Sequence, residues 1–212
     1  MYSFPRGAIV AVQNSSRVSL VALLTALAIV LNLVVRIPAF YDVYLIYEVW
    51  EVPIVLALLL IGVWGGVAVA ALNTVYLFTQ PGPVLLGPLY NFVAVMSMIL
   101  GLVVAQKITG SRKWRSLTLV GLATALGALS RTAVMTVVNA AVVTLPPPIG
   151  YAIPVSLLAE TLILTGIFNL TVTLYTVPLA YSARRILASR YRFVIPDAPV
   201  RGQGASASSS SQ

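Results

Sequence analysis

One strongly apolar stretch contains an arginine, a methionine and an asparagine that are spaced four residues apart. Arg131, Met135 and Asn139 lie within residues 117–145, and residues four apart share one face of a helix. An arginine inside a bilayer is costly, so it usually faces a bundle interior or a wet cavity and is paired with another group. Two interpretations follow. Arg131 balances a buried glutamate between helices, or it forms the polar floor of a solute site.

Other polar side chains interrupt apolar stretches and could meet this face. Counting 1.5 Å per residue places Arg131 and Asn169 near the membrane midplane. The polar residues expected in the outer half are Glu48, Glu51, Asn91, Asn139 and Glu160. We expect Glu160 to be the charge partner of Arg131, because the fifth and sixth spans run antiparallel. The inner half is almost wholly apolar, which favours a pocket that opens outward over a continuous pore.

The composition requires that membrane helices position these residues. The chain has 212 residues, of which 59% are hydrophobic and 8% charged, whereas a soluble domain carries about 25% charged residues. A membrane-crossing helix needs about 20 apolar residues. Six such segments fit, at residues 18–36, 43–61, 64–79, 85–106, 117–145 and 154–183.

We therefore predict an all-α, polytopic membrane protein with six transmembrane helices. Residues 1–16 form a cytoplasmic N-terminal segment, residues 17–187 the transmembrane domain, and residues 188–212 a largely disordered cytoplasmic tail. Of the 13 lysines and arginines, 11 fall in the three segments that this topology places inside, which the positive-inside rule requires. Both termini are thus expected in the cytoplasm of a multi-pass cell-membrane protein, surrounded by lipid and without a nucleic-acid partner.

The connection after the first span is rich in aromatic residues, among them Tyr41 beside Asp42. These rings belong either to the aromatic belt of a membrane interface or to a lid that stacks on a planar ligand. Glu48 and Glu51 follow, three residues apart, and are expected on one helical face. Two carboxylates so near lipid need water, a cation or an arginine.

Cysteine and histidine are both absent, which excludes disulfides, haem and histidine-ligated metal. The chain also lacks a P-loop and a nucleophile motif. An intramembrane protease or lipid transferase could use Glu48, Glu51 and Glu160, but nothing marks a nucleophile or a metal site beside them. We expect no catalytic residue, no metal and no cofactor.

Several short motifs, in this order and spacing, resemble the substrate-binding (S) components of energy-coupling factor (ECF) transporters, over residues 17–187. The motifs are Ala22-x-x-x-Ala26, Arg36-Ile-Pro38, Glu48-x-x-Glu51-Val-Pro53, Asn91-Phe92, Met135-x-x-x-Asn139 and Phe168-Asn169-Leu170. The riboflavin-specific subgroup is the most similar. One departure is Val172, because riboflavin members often have a lysine there.

The resemblance implies a subunit that captures a small planar vitamin, best matched by riboflavin, for import. A transmembrane coupling protein and two cytoplasmic ABC-type ATPases would be its partners, and only the ATPases would use ATP. The residues expected to contact the vitamin are Tyr41, Asp42, Glu48, Glu51, Asn91, Arg131, Met135, Asn139, Glu160 and Asn169. Ala22 and Ala26, a small-residue pair that allows close helix approach, would contact the coupling protein. Internal packing is the alternative for this pair.

Two other functional classes remain open. A free-standing secondary transporter or channel would also be a helical bundle, although such folds are commonly built from two repeated halves and no convincing repeat is visible. A membrane scaffold or assembly factor would explain the apolar helices but not the polar residues of the outer half.

Overall fold

The computed structural model describes residues 6–82, 84–110 and 117–190, and the side chains of residues 15–41, 45–82, 84–110 and 117–189 within them. The predicted disordered tail, residues 188–212, lies outside the described residues except at its start, where residues 188–190 belong to the last helix and not to a tail. Residues 111–116, which include three of the basic residues expected on the inner side, also lie outside the described residues.

The described residues form six α-helices and one β-hairpin. In chain order the elements are α1 (Arg6–Val34), β1 (Ile37–Ala39), β2 (Asp42–Tyr47), α2 (Glu51–Ile61), α3 (Val63–Leu77), α4 (Gly87–Thr109), α5 (Leu117–Val142) and α6 (Leu158–Arg190). The predominantly helical class is as predicted. Four helical stretches are long and apolar enough to cross a membrane: Ser15–Val34, Gly87–Thr109, Leu117–Val142 and Val155–Ser189.

The second predicted span, residues 43–61, is wrong over its first part. Residues 42–47 form strand β2, which pairs antiparallel with β1 through Ile37 opposite Tyr47 and Pro38 opposite Ile46. Aromatic and β-branched residues dominate this segment, and such residues favour strands. The helix that follows has 11 residues, about 16 Å, which is shorter than the roughly 30 Å hydrocarbon layer of a bilayer.

Helix α2 lies at the centre of the molecule. It packs against α1, α3 and α6, and its core residues Ile54, Val55 and Ala57 have no exposed surface. The turn into α3 is the single residue Gly62, whose φ of 105° is a conformation that glycine adopts readily. The chain therefore reverses at once, and α3 packs beside α2 with side chains such as Trp64 and Val75 exposed.

Helix α5 is held between α4 and α6. Its contact with α4 is close enough that a Cβ added to Gly101 would overlap the Leu126 carbonyl, and a Cβ added to Gly127 would lie 2.6 Å from Leu102 Cδ1. The face of α5 that carries Arg131 is turned towards α2 and α6.

The close approach of α4 and α5 predicts a difference between two glycine-to-alanine changes. Gly101→Ala should lower the thermal unfolding temperature of the purified protein, because overpacking a tight contact costs about 1–3 kcal/mol. The matched control is Gly121→Ala on α5, where an added Cβ meets no atom within 4 Å. That change should be neutral or stabilise by up to about 1 kcal/mol. Equal unfolding temperatures for the two variants would contradict the packing described here.

Candidate ligand-binding site

A buried ion pair joins α5 to α2. The Nη2 of Arg131 donates to Oε1 of Glu51 at 2.9 Å, and its Nη1 donates to Oε2 of the same carboxylate. The two side chains are only 4% and 6% exposed. The third contact runs to α6, since Nε of Arg131 donates to Oδ1 of Asn169 at 2.9 Å. One guanidinium group thus connects three helices.

Asn169 is itself held in a defined orientation. Its Nδ2 donates to the backbone oxygen of Thr165 at 2.8 Å, which leaves Oδ1 to accept from Arg131. An arginine side chain has five N–H donors, and three of those on Arg131 are used by Glu51 and Asn169. For the other two, no hydrogen-bond partner is recorded among the described residues. Arg131 therefore retains donors for a bound molecule.

Glu160 is not the partner of Arg131, contrary to the expectation from the sequence. Asn169 marks the height of Arg131 on α6, and Glu160 lies nine residues earlier, about 13 Å along the helix axis. Glu51 takes its place because residues 42–50 form a hairpin and a connector instead of a helix. The first turn of α2 therefore begins opposite the middle of α5. Glu160 is exposed in the first turn of α6.

Glu48 and Glu51 do not share a helical face, which is a second correction. Glu48 precedes α2, in the connector after β2. Its carboxylate accepts from Arg36 Nε at 3.0 Å and from Trp50 Nε1 at 2.7 Å, and from Asn32 Nδ2 at 3.3 Å. Burial raises the pKa of this carboxyl, and the hydrogen bonds from Arg36 and Trp50 oppose that rise. Glu48 thus ties the end of α1 to the hairpin.

The aromatic hairpin packs on α6. The hydroxyl of Tyr47 lies 2.5 Å from that of Tyr41 and 2.9 Å from Thr171 Oγ1. The Tyr47 ring also contacts the Phe168 ring, with centroids 4.9 Å apart, and the Tyr175 hydroxyl donates to the backbone oxygen of Glu48 at 2.6 Å. These contacts place the hairpin at one side of the site, where a planar molecule could meet its rings.

These elements line a partly open cavity of about 1060 Å³, just above the usual range of about 300–1,000 Å³ for small-molecule sites. Every predicted contact residue with a described side chain lines it: Tyr41, Glu48, Glu51, Asn91, Arg131, Met135, Asn139, Glu160 and Asn169. The backbone of Asp42 pairs with Ala39 in the hairpin, but its side chain lies outside the described set. Residues far apart in sequence thus meet around one space.

Some lining residues were not predicted. Asn32 interrupts an apolar run of α1 and is 3% exposed, so the signal that identified Arg131 could have identified it too. Trp50 and Tyr151 also line the cavity, and nothing in the sequence sets them apart from other interfacial aromatics. Tyr151 follows a loop that is docked on α4, where the Tyr90 hydroxyl donates to the Ile149 oxygen at 2.9 Å.

No protein-family profile matches the chain, and no curated protein matches it either. A solved structure of the S component of a bacterial ECF transporter is similar, with a TM-score of 0.65 over 84% of this chain and 99% of that chain. The two sequences are 23% identical. At this level of identity the similarity shows a shared fold.

The ion pair predicts that Arg131 and Glu51 depend on each other. Arg131→Met should destabilise the protein by about 3–5 kcal/mol, because it leaves an unpaired buried carboxylate. The double variant Arg131→Met/Glu51→Gln should recover most of that loss, whereas Arg131→Met/Glu160→Gln should not. Thermal unfolding in detergent measures both.

The control is Arg36→Met. Its ion pair with Glu48 is 55% exposed on the arginine side and 14% on the glutamate side, so its loss should cost less than the loss of the Arg131 pair. The pairing described here would be wrong if the Glu160 double variant were rescued and the Glu51 double variant were not.

Proposed function

We propose that this chain is the substrate-binding subunit of an ECF-type vitamin transporter. It captures a small planar vitamin, with riboflavin as the first candidate, in the cavity between the hairpin and helices α2, α4, α5 and α6. It catalyses no reaction. A transmembrane coupling protein and two cytoplasmic ABC-type ATPases drive import, and the ATPases alone hydrolyse ATP.

The observation that carries this proposal is the cavity itself. It has room for a vitamin, it lies in a fold shared with an S component, and its floor is the buried network of Arg131, Glu51 and Asn169. A buried, bidentate ion pair is a costly element, and here its arginine lines the cavity and keeps two N–H groups without a partner among the described residues. That combination suits a binding protein that must hold its ligand tightly.

The chemistry of the lining supports a planar, heteroatom-bearing ligand. Asn91, Asn139 and Asn169 offer amide groups, each of which both donates and accepts hydrogen bonds. Tyr41 and Phe168 offer aromatic surface in the same cavity, and aromatic rings stack on flat ring systems. A heteroaromatic ring with carbonyl and N–H groups at its edge would use both features.

The charge distribution supports one orientation in the cell membrane. The cavity is lined by Arg36, at the end of α1, and by Glu160, at the start of α6. The basic residues Lys107, Arg184 and Arg185 lie at the opposite ends of α4 and α6. Because basic residues favour the cytoplasmic side, we place both termini inside, in a six-span multi-pass protein whose cavity opens outward.

The surface of α1 supports the proposed contact with the coupling protein. Ala22 and Ala26 are both exposed, whereas Leu24 and Ala28 face the core at 4% and 0% exposure. Internal packing therefore does not account for the two alanines. An exposed pair of small residues one turn apart allows another helix to approach closely.

The proposed ligand can be tested by absorption spectroscopy of the purified protein. We expect flavin absorbance to persist through purification. If the protein is purified empty, added riboflavin should bind at one molecule per chain, and its fluorescence should be quenched on binding. Asn139→Leu should weaken binding by about tenfold, because it removes a hydrogen-bonding amide from the site. Ser97→Ala is the control, since Ser97 is buried outside the cavity and bonds its own helix. Absence of riboflavin binding would contradict riboflavin as the ligand.

The proposed coupling surface predicts a separation of binding from uptake. Ala22→Trp and Ala26→Trp should abolish most vitamin uptake in cells that supply the partner subunits, because a large side chain blocks helix approach. Binding to the purified subunit should stay within about twofold of wild type.

Two control substitutions test whether that result depends on the position of the added tryptophan. Leu129→Trp, at an exposed position on α5, should leave uptake intact, and Ala28→Trp, at a fully buried one, should disrupt folding. Loss of ligand binding in the Ala22 and Ala26 variants would show that they serve the fold.

A further inference from the structure

Asn73, on α3, is fully buried, with 0% of its surface exposed. No hydrogen-bond partner is recorded among the described residues for its Nδ2 or its Oδ1. By contrast Asn169, which is also buried, is bonded to both Arg131 and Thr165. Buried polar groups are nearly always bonded to the protein or to ordered water, because an unsatisfied group is costly. The amide of Asn73 therefore requires a partner that the described residues do not supply.

The packing of α3 on α2 places Asn73 beneath the cavity. A Cβ added to Gly66 would lie 3.1 Å from Cβ of Leu58 and 3.4 Å from the Ile54 oxygen. Asn73 is seven residues further along α3, about 10 Å, and α2 runs in the opposite direction. Asn73 is thus level with the first turn of α2, and Leu77, one turn further on the same face, lines the cavity.

Two more hydrogen-bonding groups in this layer have no recorded partner among the described residues. Tyr76 is three residues after Asn73, so the two side chains are neighbours on the surface of α3, and its hydroxyl is buried. On α2, Trp50 provides no side-chain cap, and no acceptor is recorded for the N–H of Glu51. An uncapped helix start leaves its first N–H groups unsatisfied. Polar groups of two packed helices are therefore left over at one height of the bundle.

From these groups we infer that Asn73 and Tyr76 hold an ordered internal water molecule, which bridges α3 to the first turn of α2. An asparagine amide presents a donor and an acceptor together, so an ion of either sign would satisfy only one of its ends. Water both donates and accepts, and a buried water makes about three hydrogen bonds. Asn73, Tyr76 and the N–H of Glu51 supply that number.

The water gives Asn73 a role in the ligand site although Asn73 does not line the cavity. Glu51 is the first residue of α2, and its carboxylate holds Arg131 at the cavity floor. A water bridge to α3 fixes the position of that turn, which makes Asn73 a positioning residue for Glu51. The water site itself does not depend on the proposed vitamin-binding function. Only its effect on ligand affinity rests on that function.

A double-mutant cycle tests whether the two side chains share a partner, with the thermal unfolding temperature of the purified protein as the measurement. Asn73→Leu and Tyr76→Phe keep the approximate shape of each side chain and remove its polar atoms. Each variant should lower the unfolding temperature by about 2–4 °C, because it removes a hydrogen bond to the water. The double variant should lose less than the sum of the two, since groups in one network are not additive.

Thr176→Val is the matched control for the cycle. The Thr176 hydroxyl is also buried without a recorded partner among the described residues, but it lies on α6, whereas α3 packs against α1, α2 and α4. The effects of Thr176→Val and Asn73→Leu should therefore add. An unchanged or raised unfolding temperature in Asn73→Leu or Tyr76→Phe would overturn the inference, because removal of a buried polar group without a partner is stabilising. Additive losses for Asn73→Leu and Tyr76→Phe would overturn it too.

A crystal structure at a resolution that shows ordered water distinguishes a bridge from a direct bond. Density for one water molecule is expected within hydrogen-bonding distance of both the Asn73 amide and the Tyr76 hydroxyl. A direct hydrogen bond between the two side chains, or no density at this position, would contradict the inference even if the cycle shows coupling.

Riboflavin binding, measured well below the unfolding temperature, tests the positioning role. Asn73→Leu should weaken binding by about threefold to tenfold, because a shift of Glu51 displaces Arg131. Gly101→Ala, a destabilising change at the contact of α4 and α5, should bind riboflavin normally, which separates loss of position from loss of stability. Unchanged affinity in Asn73→Leu would overturn the positioning role. If the wild-type protein binds no riboflavin, the proposed ligand is wrong, and the unfolding cycle and the crystal structure still decide the water site.

Discussion

The ion pair between Glu51 and Arg131 constrains the rest of this structure. Burying two opposite charges away from water is favourable only if the geometry of the pair is good and the remaining hydrogen-bonding groups of both side chains are satisfied. Here both carboxylate oxygens accept from the guanidinium group, and Asn169 accepts the third N–H. To meet these requirements the first turn of α2 must begin inside the bundle. The preceding residues form a hairpin that brings the chain there.

The same arrangement creates the cavity. Because α2 is short and begins opposite the middle of α5, the hairpin and the loop before α6 border the space above the ion pair. Aromatic and amide side chains fill the walls of this space. The charged residues compensate one another almost completely, and Glu160 is the exception.

Much of this could be predicted from the sequence. The length of an apolar run is a local property of the sequence, so such runs predicted the long helices. Polar residues within a run, such as Arg131 and Asn169, are equally visible because they interrupt it. The partner of Arg131 was not local, because it depends on the depth of each residue in the folded bundle.

The hairpin was missed because its apolar and aromatic residues also suit a membrane helix, and strands of three and six residues give too short a pattern to distinguish the two. Asn32 was missed although the sequence contained the signal for it, because it is a single amide within an apolar run. Trp50 and Tyr151 could not have been assigned, because interfacial aromatics are common in membrane proteins and only the folded chain shows which of them face the cavity.

The central claim is that the intact network of Glu51, Arg131 and Asn169 forms the floor of the ligand site. A structure of the chain purified with its bound vitamin would test this most directly. The account predicts ligand density in contact with Met135 and Asn139, between the hairpin and α6, above a Glu51–Arg131 pair that remains closed. Ligand density elsewhere on the molecule, or a ligand inserted between Glu51 and Arg131 with the pair broken, would contradict it.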